Sequence, residues 1–153
     1  MKAAFDVITR LAGKTLVTAE SLTGGGIGSV LTAVPGASNV YKGGVVSYTD
    51  EVKKKILGVP GEILQRYGAV SMWTAGYMAS GVRELLNADI AVSVTGLAGP
   101  GGDEFDHEVG TVFIGYCSAE NSIVKQYRFL GDREAVRQQT IEAALSLILE
   151  QNP

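Results

Sequence analysis

The sequence has little of several features that mark particular classes of protein. Among its 153 residues there is one cysteine, Cys117, and one histidine, His107. A single cysteine excludes an internal disulfide and is typical of a reducing compartment. No apolar run is long enough to span a bilayer, and charges near the start of the chain leave no signal-peptide pattern. We therefore expect a cytoplasmic protein that does not bind membranes.

Positive charge is also scarce. The net charge is −3, and the longest basic cluster is Lys53-Lys54-Lys55, which is typical of a solvated helix face. This balance argues against a nucleic-acid-binding surface. Hydrophobic residues make up 46% of the chain and charged residues 19%, as in ordinary soluble proteins. The length predicts a single domain over residues 1–153.

Only one segment, residues 103–108, suggests a metal site. It places His107 among four acidic residues, and carboxylates with imidazole suit several divalent ions. A metal-dependent hydrolase is therefore one alternative. Neither a second histidine nor a cysteine supports a ligand set, so an exposed acidic loop is the preferred interpretation. Cys117 lies within a strand pattern and is interpreted as a small core residue.

The most informative stretch runs from Leu16 to Gly28. A short apolar run breaks into Glu20, Ser21 and Thr23, then into glycines, and then resumes with helical spacing. This pattern predicts a strand, a tight turn and a helix, with the turn at the carboxyl end of the strand, where ligands bind in α/β sheets. The glycines do not match a dinucleotide fingerprint, because Leu31 stands at the third glycine position.

Apolar periodicity predicts the remaining elements. Strands are expected at 16–20, 40–49, 89–95, 110–117 and 123–129, and helices at 5–12, 27–34, 49–57, 61–67, 71–87 and from 132 onward. Within the helix at 71–87, we expect Trp73, Tyr77, Met78 and Val82 to face the core. Strands and helices alternate early and a hairpin comes late, which predicts a mixed sheet flanked by helices.

A second glycine-rich turn follows the strand that ends at Thr95. Parallel neighbouring strands would bring this turn and the turn after Glu20 to one sheet edge, where they could form a pocket. Tyr48 and Lys53 could reach the same edge, and Ser38 lies in the loop before the second strand. Hydroxyl groups with a lysine indicate serine–lysine chemistry, since a desolvated lysine can act as a base near neutral pH.

Two arginines open the last predicted helix. The spacing of Arg133 and Arg137 places them on one face. A solvated helix start and recognition of a phosphate or carboxylate both fit this pattern, and the sequence does not choose between them.

Eight short motifs occur in order along nearly the whole chain: T-A-E-S-L-T-G-G-G at 18–26, V-P-G-A-S at 34–38, G-G-V-V-S-Y-T-D-E-V-K at 43–53, L-G-V-P at 57–60, G-A-V-S at 68–71, V-T-G-L-A-G-P-G-G at 94–102, V-G-T-V at 109–112 and G-D-R-E-A-V-R at 131–137. This ordered set resembles the C-terminal domain family of the competence/damage-inducible protein CinA. Its stand-alone members hydrolyse nicotinamide mononucleotide to nicotinic acid mononucleotide and ammonia. The resemblance implies a three-layer α/β/α sandwich with a mixed, mostly parallel sheet that self-associates, usually as a dimer.

The resemblance also implies the site. Its catalytic residues would be Ser21, Ser38, Tyr48, Lys53 and Thr95, and an arginine of the segment 133–137, Arg133 or Arg137, would bind substrate. In the two glycine-rich turns, we expect Thr23, Gly24, Gly25 and Gly96 to bind substrate as well. Either serine could be the nucleophile, and we favour Ser38, with Lys53 as the base. The substrate phosphate would lie at the helix start near 24–26 or against Arg137. No step of this reaction requires a metal or cofactor.

Two departures from the family pattern stand out. The family has a lysine–proline pair where this chain has His107 and Glu108, and Leu22 replaces a common cysteine. Larger family members carry an additional N-terminal domain related to molybdopterin-binding folds, whose activity we do not expect here. The altered loop leaves a second alternative, a non-catalytic module that binds nucleotides or phosphosugars.

Overall fold

In the computed structural model, which describes residues 2–153, one five-stranded sheet lies between two layers of helices. The strands are β1 (Leu16–Glu20), β2 (Tyr41–Val46), β3 (Ile90–Gly96), β4 (Thr111–Ser118) and β5 (Ser122–Arg128). Their order is β2-β1-β3-β4-β5, with β2, β1 and β3 parallel and both β3–β4 and β4–β5 antiparallel. Four strands thus run in one direction and β4 runs against them. The predicted mixed sheet is confirmed.

The helices are α1 (Lys2–Arg10), α2 (Gly26–Thr32), α3 (Asp50–Lys55), α4 (Gly61–Tyr67), α5 (Met72–Leu85) and α6 (Arg133–Gln151), with a short 3-10 helix at Ala37–Asn39. Thr49, Ser71 and Asp132 cap α3, α5 and α6, each accepting a backbone N–H three residues later. No helix within residues 2–153 is long and apolar enough to cross a bilayer.

Strand alternation divides the core into two main layers. In β1, Leu16 packs with α1, α2 and α6, whereas Val17 and Ala19 pack with the turn after α3 and with α4 and α5. In β3, Val92 and Val94 belong to the first layer and Ala91 to the second. The predicted three-layer α/β/α sandwich is therefore confirmed, and consecutive residues at each strand end face opposite layers.

The prediction that Trp73 and Tyr77 face the core is wrong. Their side chains are 47% and 41% exposed, and the Trp73 ring stacks on Tyr67 of α4 with centroids 5.4 Å apart. Met78 and Val82 are buried as predicted, together with alanines that the pattern did not single out. The buried face of α5 therefore combines Met78 and Val82 with the smaller residues Thr74, Ala75 and Ala79.

Two glycines of α5 give a matched test of how closely this helix packs on its neighbours. A Cβ added to Gly81 would lie 1.9 Å from the carbonyl oxygen of Leu57, whereas one added to Gly76 would make an ordinary contact of 3.7 Å with Val124. Alanine favours a helix over glycine by about 1 kcal/mol, and overpacking against backbone costs about 1–3 kcal/mol. Urea unfolding should show Gly76→Ala at least as stable as the wild type and Gly81→Ala less stable. Equal effects would contradict the packing described.

Candidate active site

A cavity of about 740 Å³ opens at the carboxyl ends of β1 and β3. Five segments line it: the turn after β1, the start of α3, the connection between α4 and α5, the loop after β3, and the start of α6. Among the residues singled out from the sequence, the lining includes Ser21, Tyr48, Lys53, Thr95, Gly96 and Arg133. The volume lies within the usual range for small-molecule sites.

Lys53 lies beneath this cavity with only 1% of its side chain exposed. Its Nζ is 2.9 Å from Ser21 Oγ, 2.7 Å from the carbonyl oxygen of Ser47 and 3.3 Å from the carbonyl oxygen of Tyr48. An ammonium group has three protons to donate, so these three acceptors satisfy all of them.

Burial lowers the pKa of Lys53 to about 8, and the negative charge of Asp50, which acts in the opposite direction, offsets this only in part. A neutral amine keeps two N–H donors and gains one lone pair. Because the two carbonyl oxygens can only accept, the lone pair must face the Ser21 hydroxyl, which can donate to it. The geometry thus orients Ser21 as the proton donor to neutral Lys53.

Glu20, the residue before Ser21, belongs to the opposite face of the sheet. It is 2% exposed, and its carboxylate accepts the hydroxyl of Thr23 at 2.6 Å and the backbone N–H groups of Ile27 and Gly28 at 2.8 and 3.0 Å. The carboxylate therefore caps the start of α2 and holds the turn that carries Ser21.

This cap corrects the expected phosphate site at 24–26. The free N–H groups at the start of α2 are occupied by Glu20, and Thr23, Gly24 and Gly25 do not line the cavity. Gly24 and Gly25 have φ values of 58° and 101°, so they serve the tight turn itself.

Thr95 and Gly96 shape the other side of the cavity. The Thr95 hydroxyl donates to the carbonyl oxygen of Ala69 at 2.8 Å, which ties the end of β3 to the α4–α5 connection. At Gly96 an added Cβ would stand 2.6 Å from the carbonyl oxygen of Thr111, so glycine permits the close approach of β4. Both residues lie at the cavity, but their contacts are with the protein framework.

The two arginines have different surroundings. Arg133 lines the cavity and donates to the carbonyl oxygen of Gly99 at 2.6 Å and to the hydroxyl of Tyr48 at 3.2 Å. Arg137 lies outside the lining. It donates to the carbonyl oxygens of Leu22 and Thr23 at 3.0 and 3.3 Å, and so fastens the turn after β1 to α6. Of the two, Arg133 is the cation placed to meet a ligand.

The preference for Ser38 as nucleophile is corrected by its position. Ser38 is exposed in the 3-10 helix before β2, whereas the cavity lies beyond the carboxyl end of that strand. The six residues of β2 span roughly 20 Å, which separates Ser38 from Lys53 within one chain. The rule that ligands bind at carboxyl ends of strands could have shown this, because Ser38 precedes its strand.

His107 does not belong to a metal-ligand group. Its Nδ1 lies 2.7 Å from Asp103 Oδ2, and among residues 2–153 no three or more histidine, cysteine, aspartate or glutamate side chains cluster as metal ligands do. The loop that contains His107 nevertheless reaches the cavity through Asp103, Glu104 and Phe105. Nothing in the sequence pattern indicated that Phe105 would contribute to the lining.

Comparisons with known proteins agree on one family. The sequence model of the CinA C-terminal domain matches residues 2–152. The CinA-like protein of Thermotoga neapolitana is 46% identical over 143 residues, which cover 92% of this chain and 35% of the relative. The chain spans about a third of the length of the curated relatives it matches.

Solved structures match over nearly their whole length. The competence/damage inducible protein CihA of Agrobacterium tumefaciens superposes with a TM-score of 0.96 at 37% identity, covering 99% of this chain and 94% of that one. The competence damage-inducible protein A of Klebsiella pneumoniae gives 0.95 at 36% identity, covering 97% and 94%.

The buried amine makes stability depend on pH in a defined window. Below about pH 8, Lys53 is protonated in both the folded and the unfolded protein. Between about pH 8 and 10.5 only the unfolded chain keeps the proton, so the free energy of unfolding rises with pH. At about 1.4 kcal/mol per pKa unit, the rise is on the order of 3 kcal/mol. Urea unfolding should show this rise in the wild type and in Lys54→Met, an exposed control, but not in Lys53→Met. Identical pH dependence in all three proteins would contradict the lowered pKa.

Proposed function

The chain belongs to the CinA C-terminal domain family, and on that premise we propose that it is a nicotinamide-nucleotide amidase. It would convert nicotinamide mononucleotide and water to nicotinic acid mononucleotide and ammonia. The observation that carries the proposal is the 2.9 Å contact between Lys53 Nζ and Ser21 Oγ at the cavity. A serine paired with a partly desolvated lysine is a nucleophile with its own base.

The first half of the reaction forms an ester with Ser21. Neutral Lys53 takes the hydroxyl proton while Oγ forms a bond to the carboxamide carbon, which gives a tetrahedral intermediate. Lys53 then returns this proton to the amide nitrogen, the C–N bond breaks and ammonia leaves. An amide leaving group needs this protonation, because the amide anion is too basic to depart.

The second half repeats these steps with water. Lys53 accepts a proton from water as the water oxygen bonds to the ester carbon, and the proton then returns to Ser21 Oγ as the C–O bond to the serine breaks. The product carboxylic acid ionises on release. One lysine thus serves as base and acid in turn, while the carbonyl oxygens of Ser47 and Tyr48 keep it in place.

Two other features support the proposal. Leu22, which follows the nucleophile and lines the cavity, has a backbone N–H group that donates to no backbone acceptor within residues 2–153, so this group is suited to hold the oxyanion. Arg133, at the rim beside Tyr48, is suited to bind the 5′-phosphate. Thr95 and Arg137 would act as positioning residues through the contacts described above.

The test is ammonia release from nicotinamide mononucleotide by the wild type and by two serine variants. Ser21→Ala should lose activity by at least about a thousandfold, because the nucleophile is gone. Ser38→Ala, a matched change outside the cavity, should keep wild-type activity.

The outcomes separate the alternatives. Full activity in Ser21→Ala, or loss of activity only in Ser38→Ala, would contradict the proposed mechanism. Binding of nicotinamide mononucleotide by the wild type without ammonia release would identify a non-catalytic binding module instead.

A further inference from the structure

The loop between β3 and β4 adds an aromatic wall that the mechanism above does not use. Phe105 lines the cavity between Glu104 and the α4–α5 connection. Its ring lies directly against Gly68, where an added Cβ would stand 2.6 Å from Phe105 Cε2. The ring therefore fills the space between the loop and the helical layer.

Phe105 also borders a second crevice. This crevice of about 650 Å³ is bordered mainly by α3 and α4, and it shares Asp50, Glu104 and Phe105 with the cavity. The two spaces therefore adjoin at these side chains. A smaller side chain at position 105 would widen the cavity on this side and leave a substrate less confined.

Asp103 is the residue around which this loop folds. Its Oδ1 accepts the backbone N–H groups of Phe105 and His107 at 3.2 and 3.0 Å, and its Oδ2 lies 2.7 Å from His107 Nδ1. Burial alone would raise the pKa of Asp103, but the hydrogen bonds from His107 and Phe105 lower it below its ordinary value. The carboxylate is therefore a stable acceptor for both backbone groups.

His107 connects this folded loop to the sheet. Its ring meets Phe113 of β4 edge-on, with centroids 6.4 Å apart, and Phe113 is only 7% exposed. His107 thus touches the sheet on one side and Asp103 on the other. The lysine–proline pair of the family pattern would not supply an aromatic ring at this position.

We propose that Phe105 is the wall against which the flat pyridinium ring of the substrate lies, and that His107 is a positioning residue that holds this wall through Asp103. The assignment rests on the proposed function. A cationic aromatic ring is attracted to the face of another aromatic ring, so this wall favours an N-substituted nicotinamide. Glu104, beside Phe105 in the lining, adds a negative charge on the same side.

The experiment is a double-mutant cycle on steady-state hydrolysis of nicotinamide mononucleotide. Phe105→Ala should raise KM about tenfold with kcat changed less than about twofold, and His107→Ala should raise KM about threefold. The double variant should resemble Phe105→Ala, because His107 acts through the same ring. His107→Gln, which keeps a donor for Asp103, should recover part of the loss.

Two further variants serve as controls. Phe105→Leu keeps apolar bulk without the ring and should give an intermediate KM, which tests the wall if Phe105→Ala does not fold. Glu108→Gln removes only the exposed ion pair with Arg128 beside the loop and should leave KM unchanged. Additive effects in the cycle, or an unchanged KM in the Phe105 variants of an active enzyme, would overturn the assignment. A wild type that releases no ammonia would instead overturn the proposed function and this assignment with it.

Discussion

A buried ammonium group is the constraint on which this site depends. Lys53 is almost fully enclosed, and each of its protons needs an acceptor inside the protein, because an unpaired buried charge is strongly unfavourable. The acceptors are the hydroxyl of Ser21, directly after β1, and the carbonyl oxygens of Ser47 and Tyr48, beyond the end of β2. The ends of the neighbouring strands β1 and β2 therefore meet helix α3 at Lys53 Nζ. The same burial lowers the pKa of the amine, which links the packing to the chemistry.

Strand alternation gives the two polar residues at the end of β1 different tasks. Glu20 turns toward α2, where its carboxylate holds the helix start, whereas Ser21 faces the cavity and Lys53. The Glu20 carboxylate at the start of α2 stabilises the turn but does not line the cavity. The glycine-rich turn thus supports Ser21, and in the proposed reaction Arg133, which lines the cavity, would bind the substrate phosphate.

The sequence predicted what depends on local patterns. The bounds of β1 and α4 follow from apolar periodicity, and the meeting of two strand ends follows from the parallel order of neighbouring strands. The sequence did not predict the features that depend on contacts between distant parts of the chain. Arg137 binds carbonyl groups from a distant turn, and Phe105 reaches the cavity only because the loop folds around Asp103. Ser38 was favoured as the nucleophile because it belongs to a family motif. The prediction did not take into account that Ser38 precedes β2 and so lies at the end of the strand away from the cavity.

In the proposed mechanism, hydrolysis passes through an ester on Ser21. The most direct measurement is mass spectrometry of peptides from enzyme quenched in acid during turnover of nicotinamide mononucleotide. The peptide containing Ser21 should gain the mass of the nicotinoyl ribotide acyl group and lose it when turnover ends. An acyl group on any other residue, or steady turnover with no adduct on Ser21 at any quench time, would contradict this mechanism.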